Sequence, residues 1–269
     1  MDWRKQNPAI CPECKTCHSY VVPHGWNYKN QRWGDLPKVT IVALGKYPDI
    51  FDYFRQRLDE FVSKDIRKIL VRDGHDIKEA PGWDIVQGPE VFSMAANHNV
   101  GWRAVESDSD ILNLNDDIYF LEPNPIEKYQ QLAYSEPRIG AVSAYSKIGL
   151  FGQPLQQKPR QDVPLSFVKT CSNGCTYFRR DMMNEVGLYD ESFDEKYGAE
   201  DADYTYRINL AGWKLGIARD LPVKHGYGDK QYSSTADRCT PNKIAENNRA
   251  IERFKRKHGH WDVIGEWKW

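Results

Sequence analysis

An α/β fold, with a mainly parallel sheet flanked by helices, is what this sequence predicts, and three observations carry the expectation. Val39-Thr40-Ile41-Val42-Ala43-Leu44 and Lys68-Ile69-Leu70-Val71 are short β-rich runs, suited to strands covered on both faces. Between them Ile50, Phe54, Leu58 and Phe61 recur at helical spacing after Pro48-Asp49, which reads as a helix start. Strand, helix and strand at this spacing imply a parallel, right-handed crossover of the nucleotide-binding kind. At 269 residues the chain is long enough for one large domain of this class with a short N-terminal addition.

Residues 1–37 form the addition. Pro8, Pro12, Pro23, Gly25, Gly34 and Pro37 are too many breakers for long regular elements, so an irregular arm is expected. Within it lies Cys11-Pro12-Glu13-Cys14-Lys15-Thr16-Cys17, followed by His18 and His24. A two-residue gap lets two thiolates reach one tetrahedral ion, so Cys11, Cys14, Cys17 and His18 are candidate ligands for structural Zn²⁺. Free thiols are the alternative, and six cysteines in a chain of this size do not make a disulfide scaffold.

The main domain is expected over residues 38–235. Lys68–Val71 ends in Arg72-Asp73-Gly74, and Asp84-Ile85-Val86 reads as a shorter third strand. Val91 to Val105 reads as a helix whose apolar face is interrupted by Asn97, Asn99, Gly101 and Arg103. Ile111-Leu112-Asn113-Leu114 is a buried strand that closes in Asn115-Asp116-Asp117 and is followed by Ile118-Tyr119-Phe120. Pro123 and Pro125 break the chain before a helix over Ile126 to Tyr134, and Ile139 to Ser143 resumes the sheet. Phe151 to Pro164, rich in Gln and Pro and without periodicity, reads as a loop near the active face. Cys175–Phe178 is a strand, Asp181–Val186 a helical turn, and Glu200–Leu210 a helix with an acidic first turn. Leu215–Ala218 and Pro222–His225 extend the sheet. Residues 236–269 form a helical extension packed on the same domain, built on a charged helix from about Asn242 to His258.

With 37 basic and 38 acidic residues the net charge is -1, so no global field draws the chain to nucleic acid or an anionic membrane. A local patch remains open, as in Arg253-Phe254-Lys255-Arg256-Lys257-His258. No apolar run approaches the roughly 18 residues of a membrane span. Met1 to Gln6 lacks the apolar core of a signal peptide, so a soluble, cytoplasmic protein is expected.

Three polar features bear on chemistry. Asn115-Asp116-Asp117 closes a strand where open α/β sheets bind ligands, and its oxygens suit Mg²⁺ or Mn²⁺ carrying phosphate. Glu200, Asp201 and Asp203 open a helix, where the macrodipole favours ionised acids. His225 ends a strand and precedes glycines that let backbone approach a ligand. Each alone is a common structural feature, and convergence of the three is what a site requires.

The order of Val39–Val42, Asp73, Asn99-Val100-Gly101, Asn115–Asp117, Asn173-Gly174-Cys175, Gly187–Phe193, Glu200–Asp203 and Val223–His225 resembles the GT-A fold glycosyltransferases of family 2. The likeness runs from Lys38 to Gly228, and Gly187 to Arg207 is its most telling stretch. It implies a GT-A type, Rossmann-like domain that moves a sugar from a nucleotide diphosphate sugar, a uridine diphosphate sugar foremost, to a hydroxyl acceptor with inversion. By that resemblance Asp117 and His225 hold Mn²⁺ or Mg²⁺, and Asn115 and Asp116 contact the donor. Asp73 faces the nucleobase, and Leu44, Asn99 and Gly174 lie on the donor side. Asp201 is the general base, with Glu200 the second candidate. Asn115 replaces the first acid of the family's Asp-x-Asp, and His98 stands where the family often has a basic residue. Saccharides, proteins and a modified nucleobase are all open as acceptors. A reading from a different class is a non-catalytic, zinc-containing module that binds nucleic acid or protein through the cysteine cluster and the basic run.

Overall fold

The computed structural model describes residues 36–74, 76–149, 158–193, 198–226 and 241–265. The candidate zinc ligands Cys11, Cys14, Cys17 and His18, and residues 151–157 of the expected loop, lie outside the described residues.

From Lys38 the chain alternates strand and helix: β1 (Lys38–Gly45), α1 (Pro48–Leu58), β2 (Arg67–Arg72), β3 (Asp84–Gln87), α2 (Met94–Arg103) and β4 (Ser109–Asn115). β1 pairs in parallel with β2 on one side and β4 on the other, and β3 is parallel beyond β2. Successive β1 residues feed two cores. Val39, Ile41 and Ala43 pack with Phe51, Phe54 and Leu58 of α1, while Val42 packs with Ala95 and Trp102 of α2. Burial of both faces is why this strand reads as a nearly continuous apolar run. Gly101 lets α2 seat: a Cβ there would lie 2.5 Å from Val42 Cγ1 and 2.7 Å from Val71 Cγ2. The residue that breaks the helix's apolar pattern is the one that permits its close approach.

The chain continues through β5 (Ile118–Phe120), α3 (Pro125–Ala133), β6 (Ile139–Gly149), β7 (Leu165–Phe167), β8 (Cys175–Phe178), α4 (Arg180–Val186), α5 (Glu200–Leu210), β9 (Lys214–His225) and α6 (Pro241–His258). Strand order across the sheet is β3-β2-β1-β4-β8-β6-β9-β5, with β7 on β9. β8 runs antiparallel between β4 and β6, β6 and β9 are parallel, and β5 and β7 are antiparallel to β9. A mainly parallel core of four strands is thus extended by a mixed wing.

Several boundaries differ from the sequence reading for local reasons. α2 starts at Met94 rather than Val91, because the Ser93 hydroxyl accepts from Ala96 N–H at 3.4 Å and caps it, leaving Val91 exposed. α1 stops at Leu58, and Phe61 falls in the following turn, its N–H bonded to Leu58 O. The runs Leu215–Ala218 and Pro222–His225 are one strand. Its register against β6 jumps from Ser143↔Ile217 to Tyr145↔Pro222, an irregularity that accommodates a residue without an N–H.

α6 packs on α5. Ala250 and Phe254 are fully buried against Phe193, Ala199, Ala202 and Tyr206. Beside this cluster the buried Asp203 carboxylate receives Arg207 Nε at 3.0 Å, Lys257 Nζ at 2.8 Å and His258 Nε2 at 2.8 Å. Among the described residues no helix is long and apolar enough to cross a membrane.

Candidate active site

The parallel register brings the carboxyl ends of β1, β2 and β4 to one edge. Leu44 stands between Val71 and Asn115, and the Asp73 N–H bonds to Gly45 O at 2.9 Å. Lys46 Nζ lies 3.3 Å from Asp73 Oδ2, fixing that carboxylate beside the end of β1. Here the chain turns through Asp116 and Asp117 into β5. Pairing of Ile118 with His225, and a 2.7 Å bond from Gly226 N–H to Asp117 O, bring β9 home to the same edge.

The result is a contact between residues far apart in the chain: His225 Nε2 lies 3.4 Å from Asp117 Oδ2, with side chains only 4% and 8% exposed. Asp116 stands next to them. Burial of its carboxyl, together with the neighbouring Asp117 charge, pushes its pKa well above the usual carboxylate range, against the Lys46 backbone N–H. Desolvated acids crowded beside an imidazole are what a divalent cation relieves. Among the described residues no three or more His, Cys, Asp or Glu are gathered as a metal cage. A two-residue set of Asp117 and His225 nonetheless fits Mg²⁺ or Mn²⁺, which takes few protein ligands when phosphate oxygens complete its shell.

A second feature joins this edge to α5. The Asn173-Gly174 turn is held by Asn115 N–H on Gly174 O at 2.8 Å and by Asn113 Nδ2 on Asn173 O at 2.8 Å. From the other side Asp201 Oδ2 accepts the Asn173 N–H at 3.0 Å. A Cβ on Gly174 would lie 2.8 Å from Ile118 Cδ1 and 3.2 Å from Asn115 Nδ2, so a side chain there would press on the tips of two side chains at the strand exit. Asn115 Oδ1 is buried with no hydrogen-bond donor among the described residues, an acceptor placed beside the acidic edge.

No family model matches the sequence, and no curated protein matches it. Solved structures do match. The crystal structure of GalNAc-T7 with UDP, GalNAc and Mn²⁺ superposes with a TM-score of 0.62 at 11% identity, over 82% of this chain and 49% of that one. Mannosyltransferase PcManGT from Pyrobaculum calidifontis, in complex with GDP-Man and Mn²⁺, gives 0.61 at 14% identity, over 85% of this chain and 66% of that one. The fold is of GT-A type. This chain spans about half the length of the first and just under two thirds of the second.

Within this GT-A frame the sequence candidates separate. Leu44, Asp73, Asn115, Asp116, Asp117 and His225 share the strand edge, and Gly174 and Asp201 are tied to it by one turn. Of the two candidate bases at the start of α5, Asp201 is half-buried. Glu200 is buried, and its Oε2 accepts the Gly198 N–H at 2.7 Å, closing the turn that leads into its own helix. Asn99 is fully buried too. Its amide donates to Tyr189 O at 3.0 Å and Glu191 Oε1 at 2.8 Å, and accepts Tyr189 N–H at 2.9 Å, so its polar atoms hold the loop before α5.

Three residues outside the sequence-based set position this site. Asn113, buried in β4, gives its Nδ2 to the Asn173 turn, so its Oδ1 faces the donors His98 Nδ1 at 3.1 Å and Trp102 Nε1 at 3.4 Å. His98 stacks on Tyr189 with ring centres 4.8 Å apart. Burial drives the His98 pKa down to about 4, only partly offset by Asn113, so the imidazole is neutral near pH 7. The Tyr189 hydroxyl bonds the Asn173 side chain and lies 3.4 Å from Asp201 Oδ1. A polar residue inside the apolar run Ile111-Leu112-Asn113-Leu114 was the available signal.

Proposed function

We propose that this chain is a divalent-metal-dependent glycosyltransferase that moves a sugar from a nucleotide diphosphate sugar, a uridine diphosphate sugar first among them, to a hydroxyl acceptor with inversion. The observation that carries the reading is the desolvated Asp117–His225 contact at the carboxyl edge of the parallel strands. Support comes from the fold shared with two Mn²⁺-bound structures, one with UDP and GalNAc and one with GDP-Man.

Asp117 and His225 would hold the Mn²⁺ or Mg²⁺, which supplies Lewis-acid neutralisation of a diphosphate leaving group. Leu44 and the Lys46-fixed Asp73 flank the nucleoside, and the open Asn115 Oδ1 accepts a hydroxyl of the donor. Asp201, anchored by the Asn173 N–H, takes the proton of the acceptor hydroxyl as that oxygen attacks the anomeric carbon. A single displacement with one base inverts the anomeric configuration.

The test is incubation with mixed sugar nucleotides and hydroxyl acceptors, with products read by mass spectrometry and their anomeric configuration by NMR. Chelation should abolish transfer. Asp201→Asn should keep donor binding by calorimetry while transfer falls by roughly 10²- to 10⁴-fold. Undiminished transfer removes Asp201 as the base, and a product of retained configuration refutes the single displacement.

A further inference from the structure

Tyr189 stands in the connection between α4 and α5, and its ring is stacked with both His98, at 4.8 Å between centres, and Tyr204, at 4.5 Å. Asn99 holds its backbone from both sides, accepting the Tyr189 N–H at 2.9 Å and donating to Tyr189 O at 3.0 Å. Phenylalanine would make the same stack. What tyrosine adds is a buried hydroxyl, which costs stability unless it is hydrogen-bonded. Asn173 Nδ2 donates to its oxygen, and its own proton is left to point at Asp201 Oδ1, 3.4 Å away. The Cys171 thiol, 3.8 Å from Asn173 Oδ1, fits this orientation of the amide. Asp201 is thus met on both oxygens from one turn: the Asn173 N–H reaches Oδ2 directly at 3.0 Å, and the Asn173 side chain acts on Oδ1 through Tyr189.

We propose that Tyr189 is a positioning residue for Asp201, its hydroxyl donating to Oδ1 and fixing the carboxylate for proton transfer. The bond is a matter of geometry, and its use in catalysis rests on the glycosyltransferase function proposed above. At 3.4 Å it is longer than the roughly 2.5–3.0 Å of a tight O–H···O bond, as bonds to catalytic groups often are before substrate binds. Burial, and after it the Asp201 charge, hold the phenol proton in place well above its usual range, so Tyr189 acts as a donor only. The acceptor's proton ends on Asp201 and Tyr189 keeps its own. Cys171 feels the Asp201 charge, and Tyr204 and Glu200 act on Tyr189. Burial pushes the Cys171 thiol up to about 12, which keeps it neutral beside the carboxylate. A donor to a carboxylate favours its charged form, so loss of the Tyr189 hydroxyl has a defined sign: Asp201 becomes easier to protonate. This also gives Asn99 a task at a distance, since it clamps the backbone of the residue that reaches the base.

The experiment is an NMR titration of the full chain carrying ¹³Cγ-labelled aspartate, with the Asp201 signal identified by its loss in Asp201→Asn. In Tyr189→Phe the Asp201 midpoint should rise by about one pH unit, the size expected for a lost hydrogen bond to a charged group. Tyr189→3-fluorotyrosine keeps the ring and makes the hydroxyl a stronger donor, so it should move the midpoint the other way. An unmoved Asp201 midpoint in a folded Tyr189→Phe protein overturns the proposal, and so does a lowered melting temperature with that midpoint unmoved, which leaves the hydroxyl serving Asn173 alone. If the phenylalanine variant does not fold, a wild-type midpoint in the fluorotyrosine protein overturns it instead. In transfer assays Tyr189→Phe should lower kcat about tenfold, leave the donor KM unchanged and shift the acid limb of the pH profile upward. In the Asp201→Asn background the same change should do nothing further, because the two act as a unit, and an equal loss there also overturns the role. The titration needs no substrate. If Asp201 shifts as expected while no sugar nucleotide is turned over, the Tyr189 bond stands and the glycosyltransferase reading falls; if transfer proceeds and the titration does not move, the positioning role falls alone.

Discussion

His98 makes folding depend on pH in a direction the structure dictates. Its side chain is sealed between Tyr189, Trp102 and Asn113, and burial lowers its pKa from 6.5 to about 4. In the unfolded chain the imidazole titrates near its ordinary value, so between 6.5 and 4 the unfolded state binds a proton that the native state refuses. The associated stability is therefore complete above pH 6.5 and is lost as the pH falls toward 4. The full gap corresponds to about 3 kcal/mol, of which about 2 kcal/mol is gone by pH 5. Denaturant unfolding followed by tryptophan fluorescence at pH 8 and pH 5 measures the total. His98→Phe, which keeps an aromatic ring against Tyr189 but cannot titrate, isolates this contribution. The difference between the two pH values should shrink by about 2 kcal/mol in the variant. An identical pH dependence in both proteins refutes a neutral, desolvated His98.

His225→Ala removes one of two proposed metal ligands and should raise the Mn²⁺ concentration for half-maximal transfer by at least about tenfold, since even outer-shell losses cost 10- to 100-fold; an unchanged metal titration excludes His225 as a ligand. Gly101→Ala drives a methyl group into Val42 and Val71 and should cost about 1–3 kcal/mol, seen as a melting temperature several degrees lower. Phe254→Ala empties the contact between α6 and α5 and should cost about 3–5 kcal/mol. Hydrogen exchange should then accelerate in α6 before the parallel strands, and uniform acceleration would contradict separate packing of that helix.

The half of the site on the parallel strands was legible in the sequence because its cause is local. A short apolar run that ends in Asn115-Asp116-Asp117 announces both the strand and its polar exit, and parallel register does the rest. The other half was not. Asn99 and Glu200 are legible as polar residues, yet their hydrogen bonds go to Tyr189, Glu191 and Gly198, partners that chain order does not disclose. The β7 strand, which begins just past the stretch without periodicity, was not read at all, because three residues are too few to show alternation. The kinked β9 was split in two for the opposite reason: Pro222 signals a break, and only pairing with β6 shows that the strand continues past it.

The two halves are held by different means, and this bears on what sets the position of Asp201. The Asp117–His225 contact follows from backbone pairing between β5 and β9 and is as rigid as the sheet. Asp201 stands on a helix rather than a strand, one whose Tyr204 and Ile208 share a core with Leu215 and Ile217 of β9. It is located by the Asn173 N–H, by the Tyr189 hydroxyl at 3.4 Å and, through its own helix, by Asp203, which is clamped to Lys257 and His258 of α6. Loosening α6 therefore removes one restraint on the candidate base while leaving the candidate metal ligands where the sheet puts them. Such a change should lower transfer before it lowers donor affinity, whereas damage to the β5–β9 pairing should remove both together.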